Sequence, residues 1–192
     1  MRRFWLLVLA ATLGLPATLP AATYDIDPAH SSVSFSIRHL VGRVPGSFSG
    51  FSGTIEYDPS KPEASVVNAV IQAASITTEN ETRDAHLRSA DFFDVEKFPQ
   101  ITFASTAVRK TDAGLEVEGK LAMHGVEKTV TLPVEILGTA TDPWGKTRTG
   151  FSAELTLDRT QFGIIWNKAL DQGGALLGND VKVTLLMEAV AR

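Results

Sequence analysis

The chain has 192 residues, with 18 Lys and Arg against 22 Asp and Glu for a formal net charge of −4, and it contains no cysteine. Without cysteine there is no disulfide framework, thiolate metal site, thiol nucleophile or cysteine-borne lipid anchor, and the acidic balance argues against nucleic acid as a partner. Met1 to about Ala22 place Arg2 and Arg3 before an apolar run from Phe4 to Leu15, the order of a secretory signal peptide.

That run is shorter than the ~20 apolar residues a bilayer core requires, and Pro16 and Pro20 interrupt the chain just beyond it. The expectation is a signal peptide over 1–22, no stable membrane anchor, and one exported domain over 23–192 in the periplasm. About 170 residues suffice for one core.

In chain order, about eight segments carry apolar residues at every second position, the period of a half-buried strand. The first sets Val33, Phe35 and Ile37 between Ser32, Ser34 and Ser36. Phe48 to Tyr57 and Ser65 to Ser75 are the second and third. From Thr82 to Asp94 the two-residue period fails, and a short helix or loop over a barrel mouth is expected, ended near Pro99.

Ile101 to Val108 forms the fourth strand. In the fifth, Leu115, Val117, Leu121 and Met123 alternate with Glu116, Glu118 and Lys120. The sixth places Val130, Leu132, Val134 and Ile136 on one face, Thr149 to Leu157 is the seventh, and Val181 to Met187 the eighth. Gln161 to Asn179, with Phe162, Trp166 and several glycines, reads as a long functional loop.

Turn signals at Asp58-Pro59, Asp112-Ala113-Gly114, His124-Gly125 and Asp142-Pro143 separate the strands. Short turns favour an antiparallel meander, because parallel neighbours need long crossovers. Closure removes exposed edges, and about eight strands enclose an interior that side chains fill or that holds one small ligand. The predicted fold is all-β, a single antiparallel eight-stranded barrel with a short helix and a long loop near the mouth.

Catalytic patterns are absent from the sequence. His30, His39, His86 and His124 are scattered without metal-ligand spacing, and Gly46-Ser47-Phe48-Ser49-Gly50 has Phe48 where a nucleophile elbow needs serine. It reads instead as a glycine-rich bend in a strand. Asp25 and Asp27 read as solvated carboxylates, and Asp84, His86, Arg88 and Asp91 as a charged helix face in which Asp84 and Arg88 are spaced for an ion pair. Neither a metal nor a cofactor is expected.

The apolar faces define a candidate ligand site. Phe35, Ile37, Phe103, Leu121, Met123, Leu132, Val134, Phe151 and Leu155 are expected to point inward, with His39 on the parity of Phe35 and Ile37. His86, Arg88 and the Phe162 to Trp166 loop are expected at the mouth, beside the polar end of a ligand. Periodicity does not separate a filled barrel from an open one.

Ordered motifs then point to a family. Asp27-Pro28-Ala29-His30-Ser31, Phe35, Arg38-His39 and Gly46-Ser47-Phe48 with Phe51-x-Gly53 come first. Arg83-Asp84-x-His86-Leu87-Arg88-Ser89-x-Asp91-Phe92-Phe93-Asp94, Phe98-Pro99-x-Ile101-Thr102-Phe103 and Gly119-x-Leu121-x-Met123-His124-Gly125-Val126 come next. Arg159-x-x-Phe162-Gly163-Ile164-x-Trp166-Asn167 and Gly178-x-Asp180-Val181 complete the set. In this order and spacing the chain resembles YceI-like proteins over nearly all of its length beyond the leader.

The resemblance implies a lipocalin-like barrel and a periplasmic binder of polyisoprenoids or related long-chain amphiphiles. Members often pair as homodimers, which these residues neither support nor exclude. The expected function is sequestration or transport of a long-chain isoprenoid or fatty amphiphile without catalysis. The alternatives are a lipid isomerase or hydrolase, with His39 as its acid-base group, and a stress-related surface protein with a solid barrel.

Overall fold

The computed structural model describes residues 22–171 and 173–192, so residues 1–21 of the expected leader lie outside the described residues, while its last expected residue, Ala22, begins the first strand. Eleven strand segments form one antiparallel sheet: β1 (Ala22–Ile26), β2 (Ser32–His39), β3 (Gly42–Phe48), β4 (Phe51–Tyr57), β5 (Val66–Gln72), β6 (Ile76–Thr77), β7 (Gln100–Thr111), β8 (Gly114–Met123), β9 (Val126–Thr141), β10 (Thr147–Asp158) and β11 (Leu177–Ala191). The single α-helix of the described residues, α1, spans Glu81–Arg88.

The ring runs β1-β4-β5-β7-β8-β9-β10-β11 and closes where β1 pairs β11, Tyr24 opposite Ala191. It is an eight-stranded closed barrel, as the alternation predicts. β2, β3 and β6 are extensions of its first three staves. β1 and β2 lie along successive stretches of the same β11, separated by a 3-10 turn at Pro28–His30. β3 and β4 are parted at Ser49-Gly50, the glycine-rich bend, and β5 and β6 by a 3-10 turn at Ala73–Ser75.

Three details correct the strand reading. Phe48 ends one segment and Phe51 begins the next, so Phe48 to Tyr57 is not continuous. β1 and β3 were not among the eight expected segments. β3 contains Pro45, tolerated because its outer edge is paired only at Ser47 and Phe48, where β6 meets it.

Two-residue side-chain alternation puts the apolar faces inside the ring. Buried clusters sit at both ends: Tyr24, Ile26, Ile55, Tyr57, Phe151 and Ala189 at one, Val33, Phe48, Ala73, Ile76 and Ile101 under α1 at the other. A third group, Val108, Leu115 and Val117, packs with Leu132, Val134 and Ile136 of β9.

The helix end is the mouth. Asn80 caps α1, its side-chain oxygen accepting from the Arg83 N–H at 2.9 Å. Beside it lie the β2–β3 hairpin, the β8–β9 turn and the 159–176 connection. His124 and Gly125 both have positive φ, 52° and 75°, the geometry of a two-residue hairpin turn that matches the strand twist.

Candidate functional site

The barrel encloses a cavity of about 430 Å³, within the range of small-ligand pockets. Its wall extends from Tyr57, Ser65 and Val67, at the end where Ala22 pairs with Tyr57, to His86, Trp166 and Leu176 at the mouth. The interior is therefore not packed solid. A wall this largely apolar suits an apolar guest.

The inward set is on this wall. Phe35, Ile37 and His39 face the cavity from β2, Phe103 from β7, Leu121 and Met123 from β8. Leu132 and Val134 reach it from β9, and Phe151 and Leu155 from β10. Antiparallel register aligns the sets, since Phe151 lies opposite both Ile136 and Met187, and Leu155 opposite Val183.

At the mouth, His86 and Trp166 also line the cavity, and their rings meet edge to face at 4.9 Å between centroids. Phe92 packs on both rings, at 5.0 Å from His86 and 5.2 Å from Trp166. The Nε2 of His86 is 2.8 Å from Asp91 Oδ2, which turns the imidazole toward the loop and fixes its plane. These three rings join α1 to the 159–176 connection.

Two expected mouth residues are elsewhere. Arg88 is not on the cavity wall: its Nε donates to Ala74 O and its Nη2 to Ile76 O, each at 2.8 Å, pinning α1 to the third stave. Phe162 is buried behind the wall, 2% exposed, and its carbonyl accepts from His124 Nδ1 at 3.0 Å. Neither is placed to touch a ligand in the cavity.

Asp84 does not join a solvated ion pair with Arg88 as its spacing suggests. It is buried, and its carboxylate accepts from the Thr78 N–H and hydroxyl. Burial works to raise its pKa, but the hydrogen bonds from Thr78 and Thr77 together with the nearby charge of Arg88 outweigh that and hold it below the ordinary carboxylate value.

Sequence reading missed Arg159 as a site residue, although it begins the Arg159-to-Asn167 motif. It is 4% exposed and lines the cavity, and its guanidinium organises the connection over the mouth. Nε donates to Gly178 O at 3.0 Å, and Nη1 to Ile164 O at 2.7 Å and to Trp166 O at 2.9 Å. An Arg beside Asp158 at a strand end reads as a surface pair until the return path of Ile164 to Gly178 is known.

Outside the barrel, Asp27, His30 and Glu188 converge with ligand atoms within 4.8 Å of one another. The positive charge among them is the Arg148 guanidinium, 2.8 Å from Asp27 and 2.6 Å from Glu188, with Asp142 at 2.9 Å. Asp27 is thus part of an ion-pair network that clasps β1, β10 and β11, and not simply solvated. Asp25 is exposed, as expected, and pairs with Arg192 at 2.8 Å.

The YceI-like domain profile matches residues 24–189. Protein YceI of Salmonella arizonae and that of Salmonella enteritidis PT4 are each 42% identical over 159 residues, 81% of this chain and 83% of the relative. Among solved structures, Burkholderia cenocepacia BcnA superposes with a TM-score of 0.75 at 25% identity, covering 85% of this chain and 98% of that one. The Campylobacter jejuni YceI protein gives 0.71 at 32% identity over 81% and 90%. A domain of Saccharophagus degradans described as polyisoprenoid-binding shares the fold, with a TM-score of 0.64 at 16% identity over 90% and 100%. With its profile matched from the first barrel strand to the last, the chain belongs to the YceI-like family.

Proposed function

We propose that the protein binds one long-chain isoprenoid or related amphiphile inside its barrel and sequesters or carries it unchanged, acting in the periplasm after loss of residues 1–22. The observation that carries this reading is the apolar cavity of about 430 Å³ that runs the length of the barrel. Each methylene buried contributes ~0.8 kcal/mol, so a long tail offsets the ordering cost of association. The Saccharophagus domain described as polyisoprenoid-binding has the same barrel, which is consistent with such a guest.

A binding role also accounts for the wall's chemistry. His39 lines the cavity with no Asp or Glu among the described lining residues to orient it, and His86, the lining histidine that does pair with a carboxylate, Asp91, is packed at the mouth between the Phe92 and Trp166 rings. That favours storage or carriage over isomerisation or hydrolysis.

The test is titration of the delipidated protein with isoprenoid alcohols of rising length, beside Leu132→Trp and Leu155→Trp. Affinity is expected to rise with length until the cavity is filled, and both indoles are expected to weaken every long ligand by tenfold or more. Length-independent binding, or full affinity in both Trp variants, contradicts the site.

A further inference from the structure

The two-residue tip joining β2 to β3 breaks the usual chemistry of a hairpin turn. Leu40 has a φ of 50°, in the left-handed region that favours glycine or asparagine, and Val41 beside it is 107% exposed. Behind the tip, Arg38 and Arg43 are exposed, direct cross-strand partners. Like charges set opposite each other weaken a strand pair. The Arg38 guanidinium donates to Leu40 O and Ala175 O, and that of Arg43 to the hydroxyl and carbonyl of Ser36, so neither has a carboxylate partner among the described residues.

This tip is continuous with the cavity wall. The Leu40 N–H donates to Leu176 O at 2.9 Å and Leu177 lies opposite His39, and Leu176, Leu177 and His39 all line the cavity. Asn167 bonds both backbone groups of Leu177. Two residues before it, Ile165 is 71% exposed, and Lys168 just after it is exposed too. An apolar surface thus passes from the lumen out over the rim, with Arg38, Arg43 and Lys168 around it. Asp171 and Asp180 on the same return path are the opposing charges. The chain as a whole is negative, at −4, so the rest of its surface is repelled by an anionic layer and docking there is oriented rim first.

We infer that this rim docks reversibly on a lipid bilayer bearing anionic headgroups, with Leu40, Val41 and Ile165 entering the interfacial layer and the three bases meeting phosphates. A long-chain ligand then passes between bilayer and barrel without crossing water. The inference rests on the lipid-binding reading. A bilayer surface matches both halves of the rim, because apolar tips bury in its outer apolar layer while basic groups set behind them stay at headgroup level.

Flotation with vesicles of phosphatidylcholine and phosphatidylglycerol, beside phosphatidylcholine alone, tests this. Wild type is expected to prefer the mixed vesicles and to bind them less as salt rises above about 0.15 M. Val41→Asp is expected to weaken docking about tenfold or more. Arg38→Gln with Arg43→Gln is expected to weaken it about fivefold for each charge removed, and lysine at both positions to restore it. Leu40→Gly suits the positive φ, so it is expected to weaken docking with a melting temperature at or above that of wild type. Trp144 is 83% exposed in the β9–β10 turn at the opposite end of the barrel, and Trp144→Ser is expected to dock as wild type does. Farnesol titrated in solution is expected to bind all these variants alike, which reports fold and cavity separately from docking.

Undiminished flotation of Val41→Asp, or an equal loss in Trp144→Ser, overturns the inference and leaves lipid binding standing. Wild type that binds farnesol but floats with neither vesicle does the same. Equal, salt-indifferent flotation with both vesicles also overturns it, since the arginines then play no part. A Val41-dependent doubling of mass in solution without flotation assigns the rim to a second copy of the chain and overturns the bilayer. Wild type that binds no isoprenoid alcohol defeats the lipid reading and the inference together.

Discussion

Phe35 and Gly46 are direct partners across the β2–β3 ladder, and the ring of Phe35 occupies the space a Cβ on residue 46 would need. The glycine lets the ring lie against the wall and leaves the cavity clear. Gly46→Ala is therefore expected to drive the ring into the lumen, costing about 1–3 kcal/mol of stability and weakening long-chain ligands severalfold. Gly42→Ala is the control, since its Cβ meets nothing closer than His39 O at 4.0 Å. Denaturation and lipid titration of both variants check this, and unchanged affinity in Gly46→Ala means the ring escapes elsewhere.

Arg88 is expected to matter for stability and not for ligand choice. Since the Arg88 guanidinium is engaged by Ala74 O and Ile76 O, Arg88→Ala is expected to lower stability by about 1.5–3 kcal/mol while preserving the ratio of affinities for anionic and neutral lipids of equal length. A selective loss of the anionic lipid in Arg88→Ala would return it to the mouth.

Acid should loosen the clasp at Arg148. Hydrogen bonds from Arg148 first and His30 second hold the Asp27 carboxyl at about 2, below its ordinary 3.8. A pKa lower in the folded state gives stability that is fully present above about pH 4 and is lost as pH falls through about 2. Asp27→Asn is expected to be less stable than wild type at neutral pH, with the gap closing between about pH 4 and about pH 2. Urea denaturation at a series of pH values measures it, and a gap constant down to about pH 2 contradicts the assignment.

The inner face was legible because a strand's period of two ties each residue to one side. Phe35 with Ile37, Leu121 with Met123, and Leu132 with Val134 needed no knowledge of partners to be placed together. β3 was hidden because Gly46 takes the inward position between Val44 and Phe48 and leaves no apolar side chain there, and because Pro45 is an uncommon strand residue. The charged residues were not legible for a different reason. Whether an arginine reaches the cavity depends on which carbonyls capture it, and those of Ala74 and Ile76, or of Ile164, Trp166 and Gly178, are brought near only by the folded path.

Export is tested apart from the barrel. Fractionation combined with N-terminal sequencing is expected to find a soluble periplasmic protein beginning near residue 23, from the Arg2-Arg3 and Phe4 to Leu15 order. An intact Met1 in a cytoplasmic pool contradicts it.

The central claim is that a long apolar molecule occupies the barrel. Mass spectrometry of organic extracts from the protein purified from its native cells measures this most directly. The account predicts a long-chain isoprenoid or related amphiphile at about one per protein, retained by wild type and depleted in Leu132→Trp. Native protein that yields no lipid on extraction, and takes up none when long-chain isoprenoids and fatty amphiphiles are offered, contradicts it.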